Sequence, residues 1–285
     1  MLKTIRYLLE ALLVYLLFGI FKLMPAAWAS NIGGFLGKLI GPKLAASRKA
    51  LRNIENALPK ADHQKILIGM WDNLGRTFAE YPHLKTIAQK KTVLHGANHL
   101  EANKDKTAII FAAHLANWEI TPITAAVQRN FVAHSIYRAP NNHFVGDLLM
   151  RCRNLNGLLK PIPKSKSGTR DMLKRLQSNQ AIGFLIDQKY NEGTAVNFFH
   201  APAMVSPAYI QLTQKFNCAL IPARVKRLKG CSFEMEVFEP IETNKSEAEL
   251  LSETHLMLEN WIKEAPEQWL WLHRRWNSAK LKEEK

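Results

Sequence analysis

The sequence has few cysteines and lacks the signatures of several common enzyme classes. Its three cysteines, Cys152, Cys218 and Cys231, form no C-x-x-C pair. Neither a disulfide framework nor a thiolate metal site is therefore predicted, and we expect three unpaired thiols in a reducing compartment. The sequence contains no G-x-S-x-G elbow, G-x-x-x-x-G-K-[ST] loop, H-E-x-x-H helix or G-x-G-x-x-G turn. Serine hydrolases, P-loop nucleotide hydrolases, zinc peptidases and dinucleotide enzymes thus lack their defining parts here.

Acidic residues are scarce relative to basic ones. The 285-residue chain has 39 lysines and arginines against 24 acidic residues, which gives a net charge of +15. Such a surplus fits a polyanionic partner: nucleic acid, anionic lipid headgroups, an acidic carrier protein or a phosphorylated substrate. Hydrophobic residues make up 47% of the chain, which is enough for the core of one large or two small domains.

The N-terminal region contains one long hydrophobic run. Residues 7–24 are apolar apart from Glu10 and Lys22. A helix of this length is at the short end of what crosses a bilayer, so it could span the membrane or lie deep in one leaflet. The basic run that follows soon after favours the cytoplasmic side and anionic headgroups, or forms a solvated helix face; it comprises Lys43, Arg48, Lys49 and Arg52.

A cleaved signal peptide is the alternative interpretation of this region. Lys3 and Arg6 precede the apolar run, and residues 27–29, Ala-Trp-Ala, resemble a signal-peptidase site. Glu10 inside the apolar run and the missing disulfide pattern favour a retained anchor. We therefore predict a membrane anchor at the start of the chain.

From residue 107 onwards, short β-rich runs alternate with helical ones. This pattern predicts a mostly parallel sheet flanked by crossover helices, which is an α/β fold. The predicted strands cover residues 107–112, 131–137, 181–186, 219–225 and 233–238, and the predicted helices cover residues 45–59, 62–91, 117–128, 142–153, 168–178, 206–216 and about 246–264. With no repeat or linker visible, we predict one catalytic domain over residues 31–285 behind an anchor over residues 1–30.

The stretch 111–119 contains the best candidate for chemistry. His114 follows a predicted buried strand, and open α/β sheets place their chemistry at such strand ends. If Asn117 caps the next helix, Glu119 falls in its first turn, where its carboxylate could meet His114. A histidine with a carboxylate partner can take a proton from a hydroxyl group at neutral pH. The spacing alone is not specific, because ten histidines and 24 acidic residues produce about one such pair by chance.

The surrounding residues resemble a known family. The pattern A-x-H-x-x-N-W-E from Ala112 to Glu119 resembles the His-x4-acid box of the lipid A late acyltransferases, part of the wider lysophospholipid acyltransferase superfamily. Four further segments resemble the family in the same order: residues 137–142, Asp187-Gln188 with Gly193, residues 196–199 and residues 266–276. The resemblance spans nearly the whole chain and implies a glycerolipid-acyltransferase-like α/β fold with an N-terminal hydrophobic helix.

The resemblance also implies a function. It predicts transfer of a fatty acyl group from an acyl carrier protein thioester to a hydroxyl of a lipid A precursor, which is a phosphorylated glycolipid. His114 would be the base and Glu119 would orient it, with no covalent intermediate, metal or other cofactor. The enzyme would sit at the bacterial inner membrane with a cytoplasmic catalytic domain and no nucleic-acid partner. The alternatives are an acyltransferase for glycerophospholipids or other glycolipids, and a non-enzymatic basic protein that binds membranes or nucleic acid.

Four other charged residues are candidates for the site. The resemblance implies an essential arginine, for which Arg153 has the best spacing and Arg151 is the alternative, while Arg138 ends a predicted strand at the same sheet edge as His114. An arginine there would hold a phosphate or an oxyanion, or would be an ordinary surface residue. Asp187 also follows a strand at this edge, and the resemblance implies that it shapes the site or holds the arginine; a helix cap is the alternative.

Two aromatic segments remain open to two interpretations. Residues 196–199, Val-Asn-Phe-Phe, would form an apolar wall for acyl chains or simply part of the core. His200 stands next to them where the relatives usually carry glycine. The last segment combines aromatic and cationic residues, namely Trp269, Trp271, His273, Arg274, Arg275 and Trp276. It would suit a membrane interface or would dock into the domain.

Overall fold

The computed structural model describes residues 2–273 and 275–276. The helices are α1 Leu2–Leu23, α2 Ala26–Ile40, α3 Ala45–Ala57, α4 His63–Glu80, α5 Leu84–Lys90, α6 Ala97–Ala102, α7 Ile120–Arg129, α8 His143–Asn154, α9 Lys166–Gln177, α10 Ala208–Phe216 and α11 Glu247–Glu264. Three short 3-10 turns cover Gly41–Lys43, Tyr81–His83 and Pro266–Gln268. The strands are β1 Thr92–His95, β2 Ala108–Ala112, β3 Ala133–Tyr137, β4 Ile162–Pro163, β5 Ala181–Leu185, β6 Thr194–Phe198, β7 Ala201–Val205, β8 Ala219–Arg227 and β9 Phe233–Val237.

Seven strands form one sheet in the order β1-β9-β8-β2-β5-β3-β4. All neighbours are parallel except β8 and β9. Strand β2 lies in the middle, and all five of its residues are buried, as expected for a parallel strand covered on both faces. The predicted fold class, a mostly parallel α/β sheet flanked by helices and preceded by a hydrophobic helix, is confirmed.

The structure adds elements that the sequence pattern did not predict. Strands β1 and β4 are too short for a clear hydrophobic period, and the β6–β7 hairpin forms a separate two-stranded sheet. The helix predicted over residues 62–91 is interrupted by the 3-10 turn Tyr81–His83. Pro82 lies in this turn, and a proline removes a helical hydrogen bond and clashes with the preceding turn.

Phe199 and His200 form the turn of the β6–β7 hairpin. Phe199 and His200, which connect the two strands, have φ values of 54° and 70°. A two-residue hairpin turn with both residues in this region favours glycine, because glycine has no Cβ to clash.

Phe198 and Phe199 are buried in the core and do not line the large cavity described below. The acyl-wall interpretation of residues 196–199 is therefore wrong.

The C-terminal tryptophans are also core residues. Trp269, Trp271 and Trp276 are 3%, 0% and 6% exposed. The Trp276 indole N–H donates to the Phe198 carbonyl oxygen at 3.1 Å, and the Trp271 N–H donates to that of Pro266 at 2.7 Å. The membrane-interface interpretation of this segment is wrong, and it docks into the domain without forming a helix; Arg274 lies outside the described residues.

The first two helices expose apolar side chains. Within the described residues, only α1 contains a stretch long and apolar enough to cross a membrane, Thr4–Leu23. Its Leu12 is 67% exposed, as is Trp28 on α2. The other side of α2 packs so closely on α4 that a Cβ at Gly33 would lie 2.4 Å from the Gly75 carbonyl oxygen. Both helices thus pack against the domain on one side and expose apolar side chains on the other.

A buried ion pair connects α2 and α4 to the sheet. Arg227 on β8 pairs with Glu80 at the end of α4, with one nitrogen–oxygen distance of 3.1 Å, and donates to Asn73 Oδ1 at 2.8 Å. Glu80 also accepts hydrogen bonds from Ser30 Oγ on α2 at 2.7 Å and from Asn117 Nδ2 at 2.8 Å. Because Asn117 lies in the loop after β2, this network holds the His114 loop against α4.

Replacing Arg227 with methionine should therefore destabilise the protein strongly. The change leaves the buried Glu80 carboxylate without its cation, which typically costs about 3–5 kcal/mol. Arg224 on the same strand is a matched control, because its partners Glu236 and Glu264 are more exposed and such pairs contribute about 1 kcal/mol or less. Urea unfolding of the detergent-solubilised protein measures both variants. Equal losses for Arg227→Met and Arg224→Met would contradict the assigned role.

Candidate active site

His114 and Asp187 meet because their strands are parallel neighbours. Ala112 at the end of β2 lies opposite Leu185 at the end of β5. His114 and Asp187 each follow two residues later, so the parallel register brings them to the same place at the carboxyl edge of the sheet. The His114 Nδ1–H donates to Asp187 Oδ1 at 2.8 Å, and the His114 backbone N–H donates to Oδ2 at 2.9 Å.

Asp187 is the carboxylate that orients the histidine. Its side chain is fully buried, and its Oδ2 also accepts the Trp269 indole N–H at 2.7 Å. Burial opposes ionisation, but the charge of His114 and these hydrogen bonds hold the Asp187 pKa well below its ordinary value. Because the carboxylate only accepts hydrogen bonds, the proton of a neutral His114 sits on Nδ1.

The other ring nitrogen of His114, Nε2, then carries the lone pair of the imidazole. Nε2 accepts a hydrogen bond from Gln188 Nε2 at 3.2 Å, and His114 lines the large cavity. A histidine with one nitrogen held by a buried carboxylate can take a proton at the other nitrogen. The Trp118 and His273 rings border it, with centroids 5.0 and 5.4 Å from that of His114.

The predicted contact between His114 and Glu119 is wrong. Glu119 accepts hydrogen bonds from Arg153 Nε at 2.7 Å and Nη2 at 2.6 Å, from the Tyr81 hydroxyl at 2.7 Å and from the Trp118 indole at 3.0 Å. Within the described residues, its carboxylate makes no hydrogen bond to His114. A bidentate arginine and two further donors satisfy Glu119 more fully than a single imidazole could.

The local backbone also differs from the prediction. Ala116 has a φ of 48°, which turns the chain between His114 and α7. Asn117 is not the N-cap of this helix; that position belongs to Glu119 itself. Asn117 Oδ1 instead accepts the Glu119 backbone N–H at 3.3 Å. The turn points Glu119 towards α8, away from the imidazole.

Glu119 and Arg153 form a pair that is charged at neutral pH. Burial opposes ionisation of Glu119, but the Arg153 charge and the hydrogen bonds lower its pKa. Burial also opposes the charge on Arg153, yet Glu119 raises the Arg153 pKa. Burial and the Glu119 charge raise the pKa of Tyr81 well above 10, so its hydroxyl stays protonated and donates to the carboxylate.

The three predicted arginines occupy different places. Arg153 and Arg138 both line the cavity, whereas Arg151 is exposed and does not line it. The expectation that Asp187 holds the arginine is wrong, because Glu119 has that role. Tyr81 and His273, which were not predicted as site residues, also line the cavity. Tyr81 falls inside the helix predicted over residues 62–91, where no motif distinguishes it from its neighbours.

The cavity has a volume of about 670 Å³. One lobe runs between the sheet and α7, and is lined by small and apolar residues from β2, α7, β3, β8 and β9: Ile110, Ala125, Ala133, Ala223 and Met235. Four cationic residues also line the cavity, and we call the part next to them the cavity mouth; they are Arg138, Arg153, Lys164 and Lys189. The cavity therefore suits a molecule with an apolar chain and a negatively charged part. No cluster of three or more histidine, cysteine, aspartate or glutamate side chains that could hold a metal ion occurs in residues 2–273 and 275–276.

The fold and site define an α/β enzyme whose histidine–carboxylate pair faces an apolar cavity. A model of the family of bacterial lipid A biosynthesis acyltransferases matches residues 1–278. The chain therefore belongs to that family and is a lipid acyltransferase.

The chain is also similar to a solved structure. The crystal structure of the 1-acyl-sn-glycerophosphate (LPA) acyltransferase PlsC from Thermotoga maritima is similar, with 12% sequence identity and a TM-score of 0.42. The match covers 82% of this chain and 98% of that one. No match was found among the curated proteins searched.

We expect Asp187 to contribute to stability in a pH-dependent way. Its pKa is lower in the folded chain than the value of about 3.9 in an unfolded one. Its stabilising contribution is therefore fully present above about pH 4 and is lost as the pH falls through the folded-state pKa. Asp187→Asn should be less stable than wild type at pH 7 and should lose less further stability between about pH 4 and lower pH.

Thermal melts followed by tryptophan fluorescence between pH 7 and pH 2.5 measure this difference. Asp62→Asn is the control, because Asp62 is an exposed helix cap whose side chain accepts the Lys65 N–H. An unchanged acid slope in Asp187→Asn would refute the assignment.

Proposed function

We propose that this acyltransferase moves a fatty acyl group from an acyl carrier protein thioester to a hydroxyl group of a lipid A precursor. Family membership supports this reaction class. The observation that carries the proposal is that His114, held by Asp187, and Arg153, held by Glu119, line the same largely apolar cavity. This arrangement combines a base, a cation and a place for an acyl chain.

His114 is the general base in this proposal, and Asp187 is its positioning residue. Nε2 takes the proton of the acceptor hydroxyl while the hydroxyl oxygen attacks the thioester carbonyl carbon. Asp187 stabilises the imidazolium that forms. The tetrahedral intermediate then collapses, the carbon–sulfur bond breaks, and the proton passes from Nε2 to the leaving thiolate. The attack is direct, so no covalent enzyme intermediate is needed.

Glu119 acts through Arg153. Its carboxylate engages Nε and Nη2 of the guanidinium, so Nη1 is the nitrogen left to approach a substrate in the cavity. A cation fixed in this way stabilises an oxyanion or a phosphate without reorganising during the reaction. Arg138 adds a second positive charge at the rim. The phosphorylated part of the acceptor would lie against these two arginines.

The lobe behind α7 would hold the acyl chain. Its lining residues come from β3, β2, β8 and β9, and β3 is separated from β9 by four strand spacings in the sheet, or about 19 Å. An extended chain advances about 1.2 Å per bond, as a polypeptide backbone does over its three bonds per residue. The lobe is therefore long enough for an acyl chain of about 12 carbons or more. Ala223 and Met235 line its far end.

The N-terminal helices would place this site at a membrane. We propose residues 1–30 as the anchor and residues 31–285 as a cytoplasmic catalytic domain at the bacterial inner membrane. The exposed apolar faces of α1 and α2 support this arrangement. The basic residues on and before α3 support the orientation, because cytoplasmic segments near membrane helices are enriched in lysine and arginine.

Replacing the base or its partner should abolish most of the activity. We expect kcat to fall by about 10²–10⁴ in His114→Ala and in Asp187→Asn, as for other general bases and their orienting carboxylates. Glu119→Gln should instead raise KM and leave the pH dependence of kcat unchanged. His95→Ala, at an exposed histidine, is the control. Mass spectrometry of a tetra-acylated precursor incubated with acyl carrier protein thioesters measures the product.

Three outcomes would contradict the proposal. Equal amounts of product with wild type and with His114→Ala would show that His114 is not the general base. A pH profile altered by Glu119→Gln but not by Asp187→Asn would make Glu119 the orienting carboxylate. Acylation of lysophosphatidic acid without acylation of the lipid A precursor would show that the acceptor is a glycerophospholipid.

A larger or smaller side chain at the far end of the lobe should change the preferred length of the acyl chain. Ala223→Leu takes up space at the far end, so transfer of 12-carbon and longer chains should fall at least tenfold. Met235→Ala opens space there and should shift the preference towards longer chains. A short donor of about eight carbons does not reach this end and is the internal control. Equal loss for short and long donors in Ala223→Leu would show that the chain does not lie in this lobe.

A further inference from the structure

A row of cations leads away from the cavity mouth along α9. Its members are Lys160, Lys164, Lys166, Arg170 and Lys174, and all of them are exposed. Lys166, Arg170 and Lys174 are spaced by four residues, so they share one face of the helix. The opposite face, with Met172 and Leu176, packs into the main hydrophobic core. We call this row the α9 basic stripe.

Nothing in the described part of the chain neutralises the α9 basic stripe. The only acidic residue between positions 160 and 177 is Asp171, which is bound to Arg175 at 3.0 Å. Within residues 2–273 and 275–276, no member of the stripe forms a salt bridge. Uncompensated charges of one sign along a helix attract an anionic partner over a distance of several ångströms and speed its binding.

The chemistry of the stripe favours a soluble partner over a bilayer. Helices that lie on membranes combine basic residues with exposed aromatic and aliphatic side chains. Such side chains are found on α1 and α2, where Leu12, Trp28 and Phe35 are more than 60% exposed. Between positions 160 and 177, no large hydrophobic side chain is exposed. The two surfaces therefore differ in the kind of partner that each can bind.

The stripe also lies at the right place for a partner that delivers an acyl group. Lys164 and Thr169, at the start of α9, line the cavity together with His114. A protein docked on α9 would thus have the cavity mouth at its edge. A thioester on a flexible arm could reach the imidazole from that position while the protein itself remained outside.

We propose that the α9 basic stripe is the docking surface for the acidic carrier protein that donates the acyl thioester. This inference rests on the proposed function. The stripe pairs with an acidic helix of the carrier, so that its charges set the association rate and the affinity. The phosphorylated acceptor uses Arg138 and Arg153 inside the mouth, whereas the donor protein uses the outer face of α9.

Charge reversal on α9 tests the proposal. With an acyl carrier protein thioester, Lys166→Glu with Arg170→Glu should raise KM at least tenfold and remove most of its dependence on salt. With a neutral acyl N-acetylcysteamine thioester, the same variant should match wild type, because this donor needs no protein contact. The matched control is Lys104→Glu with Lys106→Glu, which makes the same charge change just before β2, at the opposite end of the sheet from the site.

Direct binding separates docking from catalysis. Fluorescence polarisation of labelled holo acyl carrier protein should show at least tenfold weaker binding to the α9 variant and unchanged binding to the Lys104/Lys106 control. Equal binding of both variants would overturn the docking surface even if acyl transfer occurs. If wild type transfers no acyl group from either donor, the proposed function fails, while the binding result still decides the docking surface. Weaker binding to anionic phospholipid vesicles, without a change in carrier binding, would assign the stripe to the membrane.

Discussion

The hydrogen bond between the His114 imidazole and the buried Asp187 carboxylate is the interaction on which the site depends. It exists because β2 and β5 are adjacent and parallel, with Ala112 opposite Leu185. A shift of one residue between these strands would turn one of the two side chains to the other face of the sheet. The same carboxylate accepts the Trp269 indole, so the docked C-terminal segment is part of the support for the imidazole.

The loop between β2 and α7 is held from several sides, which keeps the imidazole in place. Its Ala116 backbone N–H donates to the Gln268 carbonyl oxygen at 2.9 Å, and the Leu270 N–H donates to the His114 carbonyl oxygen at 3.1 Å. Asn117 is bound to Glu80, the partner of the buried Arg227. A site held by this many elements is preorganised, which general-base chemistry and oxyanion stabilisation require.

Three buried carboxylates each hold a different side chain in place. Asp187 is bound to a histidine, Glu119 to an arginine at the cavity, and Glu80 to an arginine in the core. Each is paired with a different residue, because a buried charge without a partner is very costly. The same type of side chain thereby orients a histidine, fixes an arginine at the cavity and joins α2 and α4 to the sheet.

The sequence by itself determined where the main strands lie along the chain, the placement of His114 at a strand exit and the family to which the chain is similar. These features are local, since each depends on hydrophobic periodicity and on motifs a few residues long. Only the tertiary structure decided which carboxylate binds the imidazole. Glu119 is five residues from His114, yet the backbone turn at Ala116 points it towards Arg153. Asp187 is 73 residues away and becomes the partner because sheet order and register, which no local pattern encodes, place the ends of β2 and β5 side by side.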